Sequence, residues 1–166
     1  MTAVPTIITE RLLLRPMTAD DWEPYSALML SERARYMGGP FSVKVAWGMF
    51  CADHAQWDLF GAGALMLEDR DTRACLGQVG INSGPLFPEK EIGWLVFPEA
   101  EGRGYAFEAA SALRDWARTV RRLNTLVSYV DPQNDRSRRL AERLGATLDG
   151  TAPRPDPTDL VYRHFA

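Results

Sequence analysis

Cysteine and histidine are scarce in this chain, with two of each among 166 residues: Cys51, Cys75, His54 and His164. Two cysteines make no disulfide framework, and the four residues together make no zinc-spacing motif, so no metal is expected. The same scarcity suits a reducing compartment, and the expected location is the cytoplasm. Long apolar runs are missing too. No stretch approaches the roughly 18 apolar residues of a membrane span. The opening Met1-Thr-Ala-Val-Pro5 lacks a basic region followed by an apolar run, so no signal peptide is expected. A strong charge of one sign is absent as well: the net charge of −3 argues against general nucleic-acid binding. Neither an internal repeat nor a low-complexity tract divides the chain, and one domain over 1–166 is expected. What is present, 46% apolar residues and five tryptophans, belongs to a folded globule with a proper core.

Periodicity and punctuation give the elements. Ile7 to Arg15 reads as a first strand, ended by Pro16. Thr18 caps a helix carrying Trp22, Tyr25, Leu28 and Met29 at helical spacing. Ser42 caps a second helix to about Trp57, interrupted by Gly48. Ala64–Glu68 and Ala74–Asn82 read as a hairpin across Asp69-Arg-Asp-Thr72, with Cys75 a buried small hydrophobe. Glu91–Phe97 is the next strand, stopped by Pro98. A helix from Gly104 to about Arg121 buries Ala106, Ala109, Ala110, Leu113, Ala117 and Val120 on one stripe. Leu126–Val130 is a strand, Ser137–Leu144 a helix closed by Gly145, and Thr147–Asp149 and Leu160–Phe165 are closing strands around Pro153, Pro155 and Pro157. Strands outnumber helices, and the two central ones run into helices. An α/β fold with a mixed sheet follows.

The most telling segment is Lys90–Ala110, KEIGWLVFPEAEGRGYAFEAA. It reads as an apolar strand, a turn carrying Gly102 and Gly104, and the first turn of a helix. A helix start leaves its first N–H groups unpaired, and those donors with the positive end of the macrodipole attract phosphate. A dinucleotide fingerprint is excluded, because the third glycine position holds Phe107 and no acid follows near Arg122-Leu123-Asn124. A Walker loop is excluded because no G-x-x-x-x-G-K-[ST] run exists. A tight turn that binds nothing is the plainer alternative. Charge leans the same way as the helix start: up to residue 100 there are 8 basic and 13 acidic residues, and from 101 onward 11 basic and 9 acidic.

Glu101-Gly-Arg-Gly-Tyr-Ala106 resembles the R/Q-x-x-G-x-G/A pyrophosphate loop of the GNAT acyltransferase superfamily, although Glu101 stands where Arg or Gln is usual. Asp131-Pro-Gln-Asn134-Asp-Arg-Ser137 through Leu144-Gly145 resembles that family's later segment. Thr9-Glu-Arg-Leu-Leu-Leu-Arg-Pro16 followed by Asp20-Asp21-Trp22 is similar to the RimJ/RimL branch, which acetylates protein N-termini. The three matches fall in family order and span nearly the whole chain. The resemblance implies a single GNAT-type domain, a mixed and mostly antiparallel sheet whose central strands splay apart to admit the pantetheine arm of acetyl-CoA. It implies that backbone amides of Gly102, Arg103, Gly104, Tyr105 and Ala106 hold the pyrophosphate, and that backbone groups of Leu95, Val96 and Phe97 pair with pantetheine. A dimer is common among such proteins.

Transfer to an amine needs a base for the amine and donors for the oxyanion. An α-amine, at about 7.7–8.0, needs less help than a lysine amine near 10.4. Glu91, at the start of a central strand, is the candidate base and matches the place where many GNAT enzymes carry a catalytic Glu. The alternatives are a solvated strand-end acid, or Glu89 in its stead. Asn134 either bonds pantetheine amides or caps the following helix. The family's usual Tyr, seven residues after this Asn, is Ala141 here; Ser137 is the nearest replacement as acid, with capping its alternative role. Arg136, Arg138, Arg139 and Arg143 either meet the CoA 3′-phosphate or form a solvated face. Trp47 and Trp57 line an acceptor pocket or belong to the core, and His54 and His164 have no evident partner. The expected activity is transfer from acetyl-CoA to a protein or peptide α-amine. A small-molecule amine as acceptor, or a CoA-binding module without turnover, are the alternatives.

Overall fold

The computed structural model describes residues 3–166. The chain opens with two short strands, β1 (Ile7–Ile8) and β2 (Leu12–Arg15), paired antiparallel across a tight turn. The single strand expected over Ile7–Arg15 is therefore broken. Thr9 makes the break, because its hydroxyl accepts from the Leu12 N–H at 3.0 Å and its own N–H donates to the Leu12 carbonyl at 2.9 Å. A 3-10 turn at Ala19–Asp21 leads into α1 (Trp22–Met29). A further 3-10 turn at Glu32–Met37, capped by Ser31, has no counterpart in the periodicity. Next comes α2 (Val43–Phe60), with Ser42 accepting from the Val45 N–H as the N-cap. Gly48 does not interrupt α2. Nothing lies within 4 Å of a Cβ built there, so the glycine sits on a free face.

The hairpin β3 (Ala64–Asp69) and β4 (Cys75–Asn82) follows, then β5 (Glu91–Val96), α3 (Tyr105–Thr119), β6 (Leu126–Val130) and α4 (Asp135–Arg143). The chain closes with β7 (Thr147–Leu148) and β8 (Leu160–Phe165). The eight strands form one sheet in the order β1-β2-β3-β4-β5-β6-β8-β7. Every neighbouring pair is antiparallel except β5 with β6. The result is a single mixed α/β domain, as expected.

The sheet is covered on both sides, so its inner strands are largely apolar, with Glu68, Gln78, Glu91 and Ser128 the buried polar exceptions. In β3, Leu65 and Leu67 pack with Leu113 and Ala109 of α3, while Ala64 and Met66 pack on the other face with Phe50 of α2 and Tyr25 of α1. Of the stripe expected on α3, Ala109, Ala110, Leu113 and Ala117 are buried. Val120 is 66% exposed, because the helix ends at Thr119 and the chain turns away there. At the edge of the core the Arg15 guanidinium joins Asp21 at 2.8 Å and Glu68 at 2.6 Å, tying β2, the first 3-10 turn and β3 together.

The feature that makes a site is the weakness of the one parallel seam. β5 and β6 share a single register pair, Glu91 opposite Val127, with the Val127 N–H donating to the Lys90 carbonyl at 3.1 Å. Beyond it the strands part. The Ser128 hydroxyl reaches across to the Ile92 carbonyl at 2.7 Å, the last bond before the gap opens.

Candidate active site

The gap between β5 and β6 leads to two cavities that meet. One, of about 620 Å³, lies under the Gly102–Gly104 turn and between the Glu32–Met37 turn and α4. The other, of about 490 Å³, lies beside Glu91 and beneath α2. Trp94, Leu95, Asn134, Ser137, Arg35, Tyr36 and Met37 line both, so the two spaces share a wall.

The turn is built as a cradle. Gly102 and Gly104 have φ of +74° and +81°, a left-handed conformation that side chains disfavour. Within the turn, the Ala100 and Glu101 amides bond back to Phe97 and Pro98 carbonyls. Among the described residues, the amides of residues 102–107 have no hydrogen-bond partner, and the first intramolecular bond beyond them is Glu108 N–H to the Gly104 carbonyl at 3.1 Å. Five of these are the amides expected to hold a diphosphate. Arg11 fixes the turn from behind, donating to the Arg103 carbonyl at 2.8 Å and pairing with Glu108 at 2.7 Å. The Tyr105 side chain is buried against Arg11, 4.4 Å from the ring, so only its backbone is offered to the cavity. The Arg103 side chain lies outside the cavity lining, its guanidinium 5.0 Å from the centre of that ring.

Glu101, the departure from the usual loop, holds Arg33 at 2.5 Å and Arg136 at 3.0 Å. Its carboxylate therefore carries two guanidinium groups to the rim. With Arg35 and Arg143 the lining has four arginines against Glu32 and Glu101. This cationic character comes from both halves of the chain, which the charge count by halves did not separate. The residues present fit a polyanionic cofactor: free amides in a glycine turn at a helix start, in a cavity of positive balance.

Along β5 the backbone alternates. Phe97 N–H bonds the Leu76 carbonyl at 2.8 Å, and its carbonyl accepts from Ala100 at 2.9 Å. Both backbone groups of Phe97 are thus committed, and its side chain is buried in the α1–α2 core, so the expectation that it pairs with pantetheine is corrected. Residue 97 stands opposite 76 in a ladder that puts Leu95 opposite Gln78, so the Leu95 backbone also faces β4. In accord with this, a Cβ on Gly77 would lie 2.2 Å from the Leu95 carbonyl oxygen. The groups turned into the gap are those of Trp94 and Val96. Trp94 was not among the expected residues, since the choice of alternate positions depends on a register that one strand does not disclose.

Glu91 sits at the inner end of the second cavity and is buried. Its carboxylate accepts from Asn82 Nδ2 at 2.7 Å, and Gly93, two residues on, leaves the space beside it. Burial drives its pKa up to about 7, with the Asn82 bond opposing and the charges of Asp159 and Asp53 adding to the rise. Glu89 is a different kind of group. Arg163 clasps it at 2.9 and 3.0 Å, and that bond lowers its pKa. The two acids differ in geometry: Glu89 is bonded to Arg163 and lines neither cavity, whereas Glu91 lines the second.

Asn134 caps α4, its Oδ1 accepting from the Ser137 N–H at 3.2 Å, and the residue lines both cavities. The Ser137 hydroxyl accepts from Trp94 Nε1 at 3.2 Å and so keeps its own proton to donate. Trp57 is core, its Nε1 bonded to the Ala64 carbonyl at 2.8 Å, and Trp47 packs on Trp22 away from both cavities. Arg138 pairs with Asp135 on the surface. His164 finds a partner in Ser128 at 2.9 Å, and burial lowers its pKa to about 4. Cys75 is half-buried, its thiol pushed up to about 11 by burial. Sequence reasoning missed Asp53, Tyr36 and Arg35, for which neither spacing nor motif supplied a signal.

An anion cradle and an acid-bearing cavity that meet at a parted seam define a two-substrate group transferase. Residues 11–147 match the family model described as an acetyltransferase (GNAT) domain. The chain belongs to the GNAT acetyltransferase family and is an acetyltransferase. A crystal structure of an acetyltransferase from Agrobacterium tumefaciens str. C58 is 55% identical, with a TM-score of 0.96 over 99% of this chain and 96% of that one. A structure from Vibrio cholerae, provisionally named a ribosomal-protein-serine acetyltransferase, is 26% identical with a TM-score of 0.76 over the whole of both chains. The uncharacterized N-acetyltransferase YoaA of Bacillus subtilis (strain 168) is 27% identical over 88% of this chain and 85% of its own length.

Proposed function

We propose that this acetyltransferase uses acetyl-CoA and acetylates the α-amine of a protein or peptide by direct transfer within a ternary complex. The observation that carries the reading is that the 102–106 turn lines one cavity and Glu91 the other, and that the two cavities share a wall at one parted seam. The amides of Gly102 to Ala106 would hold the diphosphate. The backbone groups of Trp94 and Val96, with Asn134 Nδ2, would hold the pantetheine arm as an added strand does. Bound acetyl-CoA supplies the activated acyl group as a thioester.

Glu91 takes the proton of the attacking amine, directly or through one water. A base near 7 is matched to an α-amine at about 7.7–8.0 far better than to a side-chain amine near 10.4. An N–H turned into the gap, that of Trp94 or Val96, would meet the charge that gathers on the acyl oxygen. Ser137, which accepts from Trp94 and retains its hydroxyl proton, offers that proton to the departing thiolate. Two free cysteines, one exposed and one half-buried, fit a reducing setting such as the cytoplasm. The name of the Vibrio cholerae relative supports a protein acceptor.

A second reading, a small amine as acceptor, is favoured by the confined 490 Å³ of the acceptor cavity. Thiol release measured over a panel of N-terminal peptides and small amines tests both. Turnover on peptides with free α-amines is expected. Turnover confined to small amines would transfer the assignment to the second reading, and no thiol release on any amine would refute transfer to amines.

A further inference from the structure

The acceptor cavity is unusually rich in carboxylates. Asp53 from α2, Glu91 from β5, Asp131 after β6, and Asp156 and Asp159 before β8 all line it, against the single cation Arg35. Ten ion pairs are recorded among the described residues, and none includes any of these five acids. Arg35 does not neutralise them, since its guanidinium lies 4.5 Å over the Tyr36 ring. Asp131 and Asp156 satisfy themselves on neighbouring loop amides, Gln133 at 2.8 Å and Thr158 at 2.9 Å. Asp53 differs from those two. It sits within α2, takes a bond from the Tyr25 hydroxyl at 3.2 Å on Oδ2, and remains partly exposed.

The charge pattern exceeds what one reacting amine needs. Glu91 serves that amine, and the other acids of the cavity, unpaired with any cation among the described residues, leave negative charge for a second positive group. Burial likewise lifts Asp53 to about 7, against the bonds from Tyr25 and Gln78. Such an acid becomes fully ionised when a cation reaches it. Meanwhile the neighbouring cofactor cavity carries the opposite balance, so charge sorts the two substrates between the two spaces.

We propose that the acceptor carries a second cationic group, an ammonium or guanidinium within a side chain's length of the reacting amine, and that Asp53 binds it. This rests on the reading of the cavity as the amine site. The chemistry has two sources, a peptide whose first residues include Lys or Arg, or a small aliphatic diamine. Matched acceptors separate them: glycyl-lysine amide against glycyl-glutamine amide, and 1,4-diaminobutane against butylamine. Initial rates of thiol release from acetyl-CoA are read for the wild-type enzyme and for Asp53→Asn, which keeps an acceptor for the Tyr25 hydroxyl.

The dicationic member of at least one pair is expected to have a kcat/KM about tenfold or more above its monocationic match, the worth of one hydrogen bond to a charged group. The pair that shows the preference identifies the source. In Asp53→Asn that ratio should fall towards one, whatever change the variant makes in the rate common to both members. A merely structural role for Asp53 would lower both members alike and would overturn the proposal. Turnover of all four acceptors without charge preference would also overturn it while leaving acetyl transfer intact. An absence of turnover on any amine would remove both together.

Discussion

Glu91 illustrates how burial moves the titration of an ordinary acid to near pH 7. Its ordinary value is 4.5, and in the fold it titrates near 7 because its surroundings resist the charged form. Two consequences follow from one cause. The activity limb should rise through an apparent pKa near 7, shared with Asp53 as a coupled titration, and should be lost in Glu91→Gln. Stability runs the other way. Between about 4.5 and 7 the folded state binds the proton that the unfolded chain has released, so stability falls as pH rises through that window. The shift corresponds to about 3 kcal/mol at most, fully lost above the folded value. Thermal melts should therefore find Glu91→Gln more stable than wild type at pH 8, with the difference closing near pH 4.5. Equal melting curves at pH 8 would mean that the carboxylate is well solvated. The residue itself was legible in sequence from its position at a strand start. Its separation from Glu89 was not, because that depends on Arg163, 74 positions along the chain from Glu89.

At the scale of elements, most strands and helices were written plainly. β6 and β8 fall where the apolar runs end, and the β3–β4 hairpin follows from its polar turn. The failures have physical reasons. β1 and β2 were read as one strand because a side-chain bond from Thr9, rather than a glycine or proline, makes the turn. The 3-10 turn at Glu32–Met37 lacks a period to detect, yet it brings Arg33, Arg35 and Tyr36 to the cavity wall. Phe97 was included with β5 because the strand's apolar run continues to it, whereas the ladder commits its backbone to Leu76.

Asn134 allows an element's cap and a ligand contact to be measured apart. Asn134→Ala removes the α4 cap and should cost about 1 kcal/mol in denaturant unfolding, with weaker CoA binding as well. Asn134→Asp keeps an N-cap acceptor and loses the Nδ2 donors. It should retain stability while CoA affinity still falls. An unchanged affinity in Asn134→Asp would confine Asn134 to capping.

At the scale of the molecule, the sheet is continuous except where it must not be. Of the six antiparallel pairings the β3–β4 hairpin was the one read from pattern, and the opening between β5 and β6 is a property of one register pair that no residue announces. Only the resemblance of the Gly102–Gly104 turn to a family loop pointed there. On the proposed reading the cradle, the gap and the acid cavity act as one device: positive charge and free amides would receive a polyanion, and negative charge an amine. The orientation of the amides depends on two glycines with positive φ, and Gly104 is the one at the start of α3. A β-branched side chain there opposes the left-handed conformation and meets Arg11 Nη2 at 3.4 Å. Calorimetric titration of CoA into wild type and Gly104→Val, with a thermal melt of each, is the most direct test. Binding to the wild type, with none detectable in a variant that still melts cooperatively, is the predicted result; equal affinity in the two proteins would contradict it.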